Sequence, residues 1–257
     1  MAWLVRKSGR PGDPLPRAET IVRPWGAVWA IGILAAYLLL VIGGVGGLVA
    51  LVSIRTGRKP DPSVIPIEML LAIDFAAKLA AVGLLFGFLG WRREKPALVR
   101  PDPSPRASIA AGCLAAFAFL PIQVGASALQ DWIYGLLGRE FQAQEILVKA
   151  IEGPDAAFWA VALFAVLVAP PFEELAFRGL LHSGLRTRLG PVAASTATAF
   201  LFAVFHGNLD VVPVLFLLGL LLSWLRERTG GLTVPIAAHA CYNAVQMAFV
   251  GIYRAGG

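Results

Sequence analysis

Pro170-Pro171-Phe172-Glu173-Glu174-Leu175-Ala176-Phe177-Arg178-Gly179 sets two adjacent acids and an arginine in an otherwise apolar sequence. Charged groups at membrane depth are costly to bury and are kept where they do chemistry or bind. The apolar spacing of Leu175, Ala176, Phe177, Leu180, Leu181 and Leu185 continues a helical pattern through this stretch. One long helix, kinked at the two prolines, is therefore expected from about Ala156 to Leu185.

The 257 residues are 58% hydrophobic and only 15% charged, against about 25% charged in an average soluble domain. The apolar residues fall in long runs and not in the alternation of a membrane β-barrel. The fold class expected is all-α, a polytopic transmembrane helical bundle of about seven or eight spans. The runs are 25–54, 65–91, 107–137, 156–185, 191–206, 211–225 and 232–253. Each is weighed against the roughly 20 helical residues that cross the hydrocarbon. Residues 1–24 read as a basic cytoplasmic tail and 25–257 as a single membrane domain, with a catalytic core at 150–250. Residues 139–152 are mixed in character and read as an amphipathic helix lying on the membrane surface. Gly43, Gly44, Gly46 and Gly47 in the first run suggest close helix packing.

The net charge of +6 lies in short loops, which excludes nucleic acid as the partner. Five Lys or Arg in the tail, and five more at positions 92–106, predict a cytoplasmic N-terminus. The expected location is a bacterial inner (cell) membrane. Cys113 and Cys241 lack metal-ligand spacing and read as packing residues.

Helical spacing separates the two glutamates. Arg178 lies one turn beyond Glu174, so those two pair, while Glu173 points elsewhere and is the candidate general base. His206 shares a face with Phe202, and His239 with Asn243. The latter two could donate hydrogen bonds to one developing oxyanion. Counted in from the helix ends, Glu173, His206 and His239 lie at roughly 18, 24 and 12 Å, so a shared depth is feasible. Asp74 and Lys78 form a second i,i+4 acid–base pair, expected to lock the second span to a neighbour. His182 is expected at the headgroup level, outside the site.

The order Glu173-Glu174-x-x-x-Arg178, Phe202-x-x-x-His206 and His239-x-x-x-Asn243 resembles the CPBP family. These are the CAAX-protease and bacteriocin-processing intramembrane proteases, related to the prenyl-protein endopeptidase Rce1. The resemblance covers about 150–250. It implies an intramembrane endopeptidase acting on a membrane-associated protein or peptide within the lipid bilayer. Glu173 and His206 would activate water, His239 and Asn243 would stabilise the oxyanion, and Glu174 with Arg178 would organise the site. No cofactor is required by this reading. A divalent metal such as Zn, held by Glu173, His206 and His239, is the alternative. His-Glu-x-x-His, which places two zinc ligands on one helix, is absent from the sequence. The competing functions are a non-catalytic membrane scaffold or immunity-type binder, and an ion-coupled transporter.

Overall fold

A computed structural model describes residues 26–57, 65–91, 104–186 and 188–256. The expected tail at 1–24 and most of the basic loop at 92–106 lie outside the described residues. Among the described residues eight helices follow one another: α1 (Gly26–Thr56), α2 (Ile67–Trp91), α3 (Pro105–Leu137), α4 (Glu145–Glu152), α5 (Asp155–Leu185), α6 (Pro191–Phe205), α7 (Val212–Thr229) and α8 (Thr233–Gly256). No strand occurs among the described residues. Apart from α4, each helix starts and stops within a few residues of an apolar run, because in lipid the backbone must satisfy its own hydrogen bonds.

Three helices, Ile31–Thr56, Pro105–Leu137 and Asp155–Leu185, have the length and apolarity to cross a membrane. The sequence runs suggest seven or eight spans. The difference has a physical source in the last helices. α6 is apolar but has 15 residues. α7 ends in Arg226-Glu227-Arg228, and α8 carries His239, Asn243, Gln246 and Arg254. The polar load of α8 is the cost of building a site there.

The core gathers around α5. Phe177, Leu180 and Leu181 of α5 pack with Phe202 of α6, Leu218 and Leu222 of α7, and Ala238 and Tyr242 of α8. Close approaches fix these neighbours. A Cβ on Gly219 would stand 2.9 Å from Ala199, so α7 crosses α6 there with only the Ala199 methyl between them. On α1 the four glycines divide. Only Gly44 meets α2, where an added Cβ would lie 2.7 Å from Ile73, while Gly43, Gly46 and Gly47 face open space.

Another expectation changes. The amphipathic segment at 139–152 is helical only from Glu145. Its first half is an irregular strap that carries Arg139 and Gln142 toward the loop after α6. α4 itself is tethered to α8, since Arg254 donates to the carbonyls of Ala150, Ile151 and Gly153 at its C-terminal end. Cys113 and Cys241 are free thiols, partly buried.

Candidate active site

α5 is one helix with two wide turns, at Phe164–Val168 and at Leu175–His182, where the backbone bonds span five residues. The first wide turn follows from the prolines. Ala169 N–H donates to Phe164 O, five residues back. Ala165 O would by the same pattern need the N–H of residue 170, but that residue is proline and has none. The orphaned carbonyl is taken by the Asn243 side chain, with Nδ2 2.8 Å from Ala165 O. Asn243 therefore holds the kink of α5 against α8. Its second amide proton is the one left for a ligand. At the second wide turn, Ser183 Oγ donates to Arg178 O at 3.1 Å, again across five residues.

The widened helix presents Glu173 and Glu174 to different surroundings, as the spacing suggests. Glu174 and Arg178 are both fully buried. Arg178 Nη1 donates to Glu174 Oε1 at 2.8 Å and its Nη2 to Gly219 O at 3.2 Å. The guanidinium also lies over the Phe202 ring, 4.4 Å from its centroid. Gly219 thus serves twice, as the close contact to α6 and as a backbone acceptor for Arg178.

Both histidines expected at the site meet Glu173. His239 Nδ1 stands 3.0 Å from Glu174 Oε1. A carboxylate paired with arginine is an acceptor, so Nδ1 carries the proton and Nε2 is bare in the neutral ring. His206 Nδ1 stands 2.8 Å from Phe202 O. A carbonyl only accepts, so the same tautomer follows. Both bare Nε2 atoms face Glu173 Oε2, at 4.0 Å for His206 and 3.9 Å for His239. Phe202 braces both rings, with centroids 4.9 Å from His206 and 5.6 Å from His239. Glu173 and His206 keep about a fifth of their side-chain surface accessible, whereas His239 keeps 4%.

A narrow cleft of about 60 Å³ opens beside Glu173. Its walls are apolar, with Leu34 of α1, Ala81 and Leu85 of α2, and Ala176 and Leu180 of α5. Lys78 and Tyr37 are its other polar lining groups. Lys78 Nζ donates to Asp74 Oδ2 at 2.5 Å and to Tyr37 Oη at 3.1 Å, while Tyr37 donates to Asp74 Oδ1. The Asp74–Lys78 pair does lock α2 to α1, through a tyrosine that spacing alone does not nominate. Tyr37 also stacks on Phe205, next to His206, at 5.7 Å.

His182 lies outside this cluster. It is buried, and its Nε2 meets Glu227 Oε1 at 2.8 Å.

Glu173, His206 and His239 offer the chemical types of a zinc site, but their spacing does not fit one. Bonds of about 2.0–2.2 Å in a tetrahedral set bring ligand atoms to within roughly 3.4 Å of one another. No group of three His, Cys, Asp or Glu among the described residues could hold a metal ion.

Residues 155–245 match the family described as type II CAAX prenyl endopeptidase Rce1-like. An uncharacterized 24.3 kDa protein of Escherichia coli is 32% identical over 134 residues, covering 47% of this chain and 59% of that protein. YdiL of Bacillus subtilis is 24% identical over 118 residues, 46% of each chain. The membrane-embedded CAAX protease MroQ of Staphylococcus aureus is 26% identical over 201 residues, 76% of this chain and 77% of that protein. The first two matches thus span about half the length of those relatives. No solved structure matches. The chain is an integral membrane protein, and the stretch that matches the Rce1-like family, residues 155–245, holds every residue of the cluster.

Proposed function

We propose that this protein is an intramembrane endopeptidase that hydrolyses a peptide bond of a membrane-associated protein or peptide. The observation that carries the reading is the convergence of two imidazole Nε2 atoms on one carboxylate oxygen, at 3.9 and 4.0 Å. Those distances are too long for direct hydrogen bonds. They suit a water making two bonds of about 2.8 Å, which at such a separation subtend roughly a right angle. A water donating to Glu173 and to one imidazole keeps a lone pair for a carbonyl carbon.

In this mechanism Glu173 removes the proton as the water attacks. Glu174 stays ionised against Arg178 and fixes the His239 tautomer. Neutral His239 has no proton on Nε2, so it serves the oxyanion only once the proton taken by Glu173, whose Oε2 lies 3.9 Å away, has been passed to Nε2. The second amide proton of Asn243 is the other donor. Collapse of the tetrahedral intermediate breaks the C–N bond, and the proton gained by Glu173 or an imidazole passes to the leaving amine. The apolar cleft beside Glu173 receives the substrate from the side of α1 and α2. Because helical backbone is already hydrogen-bonded, the favoured target is an unwound or juxtamembrane segment.

The test compares the parent chain with Glu173→Gln in the source cells. N- and C-terminal peptides of the membrane and secreted fractions are measured by mass spectrometry. Termini that vanish in the variant, with the protein still folded in the membrane, are expected and reveal the substrate. Identical termini would sink the glutamate-base reading and favour the scaffold. Dialysis of the purified protein against a chelator is expected to leave cleavage unchanged. Loss restored by zinc would make the metal the activator instead.

A further inference from the structure

His206 is the least enclosed member of the site at its backbone. α6 ends at Phe205, and Gly207 turns the chain away with φ +70°, a left-handed conformation that favours glycine. A histidine at such a helix end would ordinarily fray with the last turn. Here the chain is fastened four residues later. Asp210 is 1% exposed. Its carboxylate accepts from Tyr134 Oη at 2.9 Å, from Gln142 N at 2.7 Å and from Arg139 Nη2. Its carbonyl accepts from Gln130 Nε2 at 2.7 Å. Its N–H donates to Asn208 Oδ1 at 2.8 Å, and Asn208 Nδ2 donates to Gln142 O at 2.9 Å.

The loop 207–211 is thereby bonded at both Asn208 and Asp210 to the end of α3 and to the strap that follows it. On the other side of the ring, His206 Nδ1 is held by Phe202 O at 2.8 Å. The imidazole sits between two anchors, one in its own helix and one made by a different part of the chain. The donors around the carboxylate also favour its charged form. The Gln142 N–H first, then Tyr134 and Arg139, hold Asp210 below the usual carboxylate range.

We propose that Asp210 is the positioning residue for His206, setting where Nε2 meets Glu173 by fastening the Gly207–Val211 loop to α3 and the 139–142 strap. This rests on His206 being part of the hydrolytic site. Asp210 touches neither substrate nor reacting atoms, and it acts by removing the freedom of the helix end. A misplacement of about 1 Å at a reacting group costs on the order of a hundredfold in rate, so a loosened His206 should show in turnover before binding.

The chain has three histidines, which makes the test direct. Protein labelled with 13C-histidine is reconstituted in lipid nanodiscs, and each signal is assigned by single His→Gln variants. In Asp210→Asn an amide N–H2 confronts the Gln142 N–H, so the clamp is broken with little change of volume. The His206 signal should shift or broaden beyond its linewidth while that of His182 stays in place. Turnover per folded molecule should fall on the order of tenfold or more with KM little changed. Tyr134→Phe removes a single bond and should give the same signature, smaller. It carries the decision where Asp210→Asn does not fold. A His206 signal that stays in place in the folded variants overturns the proposal, and so does unchanged turnover. A parent chain that cleaves nothing breaks the protease reading alone. The His206 signal then still decides whether Asp210 sets the ring.

Discussion

α5 contributes to two clusters of the same composition about two turns apart. In the core, Glu174 is bonded by Arg178 and by His239 Nδ1. Toward the end of the helix, Glu227 is bonded by Arg186 Nε at 2.5 Å and by His182 Nε2 at 2.8 Å. Each is one acid, one arginine and one histidine. They differ in two ways. Glu174 and Arg178 have no accessible side-chain surface, whereas Glu227 keeps 24%. The second nitrogen of the histidine also goes to a different place. His239 Nε2 faces Glu173, while His182 Nδ1 is buried with no partner among the described residues. The same residues make a site in one place and a helix tie in the other. What separates them is where the spare nitrogen points.

The sharpest way to break the comparison is to remove each arginine. Arg178→Met leaves Glu174 as an uncompensated buried charge, and breaking a buried pair from one side costs about 3–5 kcal/mol. The site pair has little in reserve, since Glu174 Oε2 and Arg178 Nε are already buried without partners among the described residues. Arg186→Met removes an ion pair with solvent access and should cost at most about 1 kcal/mol. Thermal unfolding of the two variants in the same detergent checks this. Equal losses would erase the distinction between site and tie.

A second experiment acts on the histidines. Asparagine reproduces the position of Nδ1 and glutamine that of Nε2. His239→Asn should keep the bond to Glu174 and the fold, yet lower cleavage by roughly 10²–10³, the usual loss for one transition-state contact. His182→Gln keeps the bond to Glu227 and should leave cleavage unchanged. A terminal-peptide readout for both variants decides it, and a cleaving His239→Asn would remove that ring from the mechanism.

Much of the site was legible because its parts repeat at helical spacing. Glu174 with Arg178, Phe202 with His206, and Asp74 with Lys78 each lie four residues apart, and each pair does touch. What spacing does not carry is the third partner. Tyr37 joins Asp74 from another helix, and Asn243 reaches Ala165 O across 78 residues. The second could in principle be read, since Pro170 and Pro171 must leave carbonyls without donors. Asp210 gave no sign at all. It lies in a loop with no period, and its partners are 68 to 80 residues away. The strap at 139–144 was hidden for the same reason, because its polar residues are spent on that loop and not on a helix face.

The Asp74–Lys78 pair tests whether a pair beside the cleft behaves like the core or the rim. Asp74 keeps 19% and Lys78 9% of side-chain surface. Asp74→Asn weakens the acceptor for both Tyr37 and Lys78, and leaving such a donor under-satisfied costs about 1–3 kcal/mol. Stability should therefore fall between the two arginine variants. Because Tyr37 also stacks on Phe205 beside His206, a modest loss of cleavage should accompany it. A loss of stability matching Arg178→Met would place the α1–α2 lock in the same class as the core pair.

The smallest expected effect belongs to the rim and distinguishes it by pH. Glu227 lies in the last turn of α7, beyond the apolar run, where water reaches it. The hydrogen bond from His182 first, and then Arg186, hold its carboxyl down to about 2, from an ordinary 4.5. A folded-state value below the unfolded one means that the stabilisation is fully present above about pH 4.5 and is lost as pH falls toward 2. The parent should thus lose melting temperature on acidification through that window faster than Glu227→Gln, which cannot titrate there. Above pH 5 the parent should be the more stable of the two, and the two curves should approach each other as pH drops. Parallel curves across the window would mean that the His182–Arg186 contacts do not favour the charged carboxylate. The rim would then differ from the core by burial alone, without a charge-dependent bond of its own.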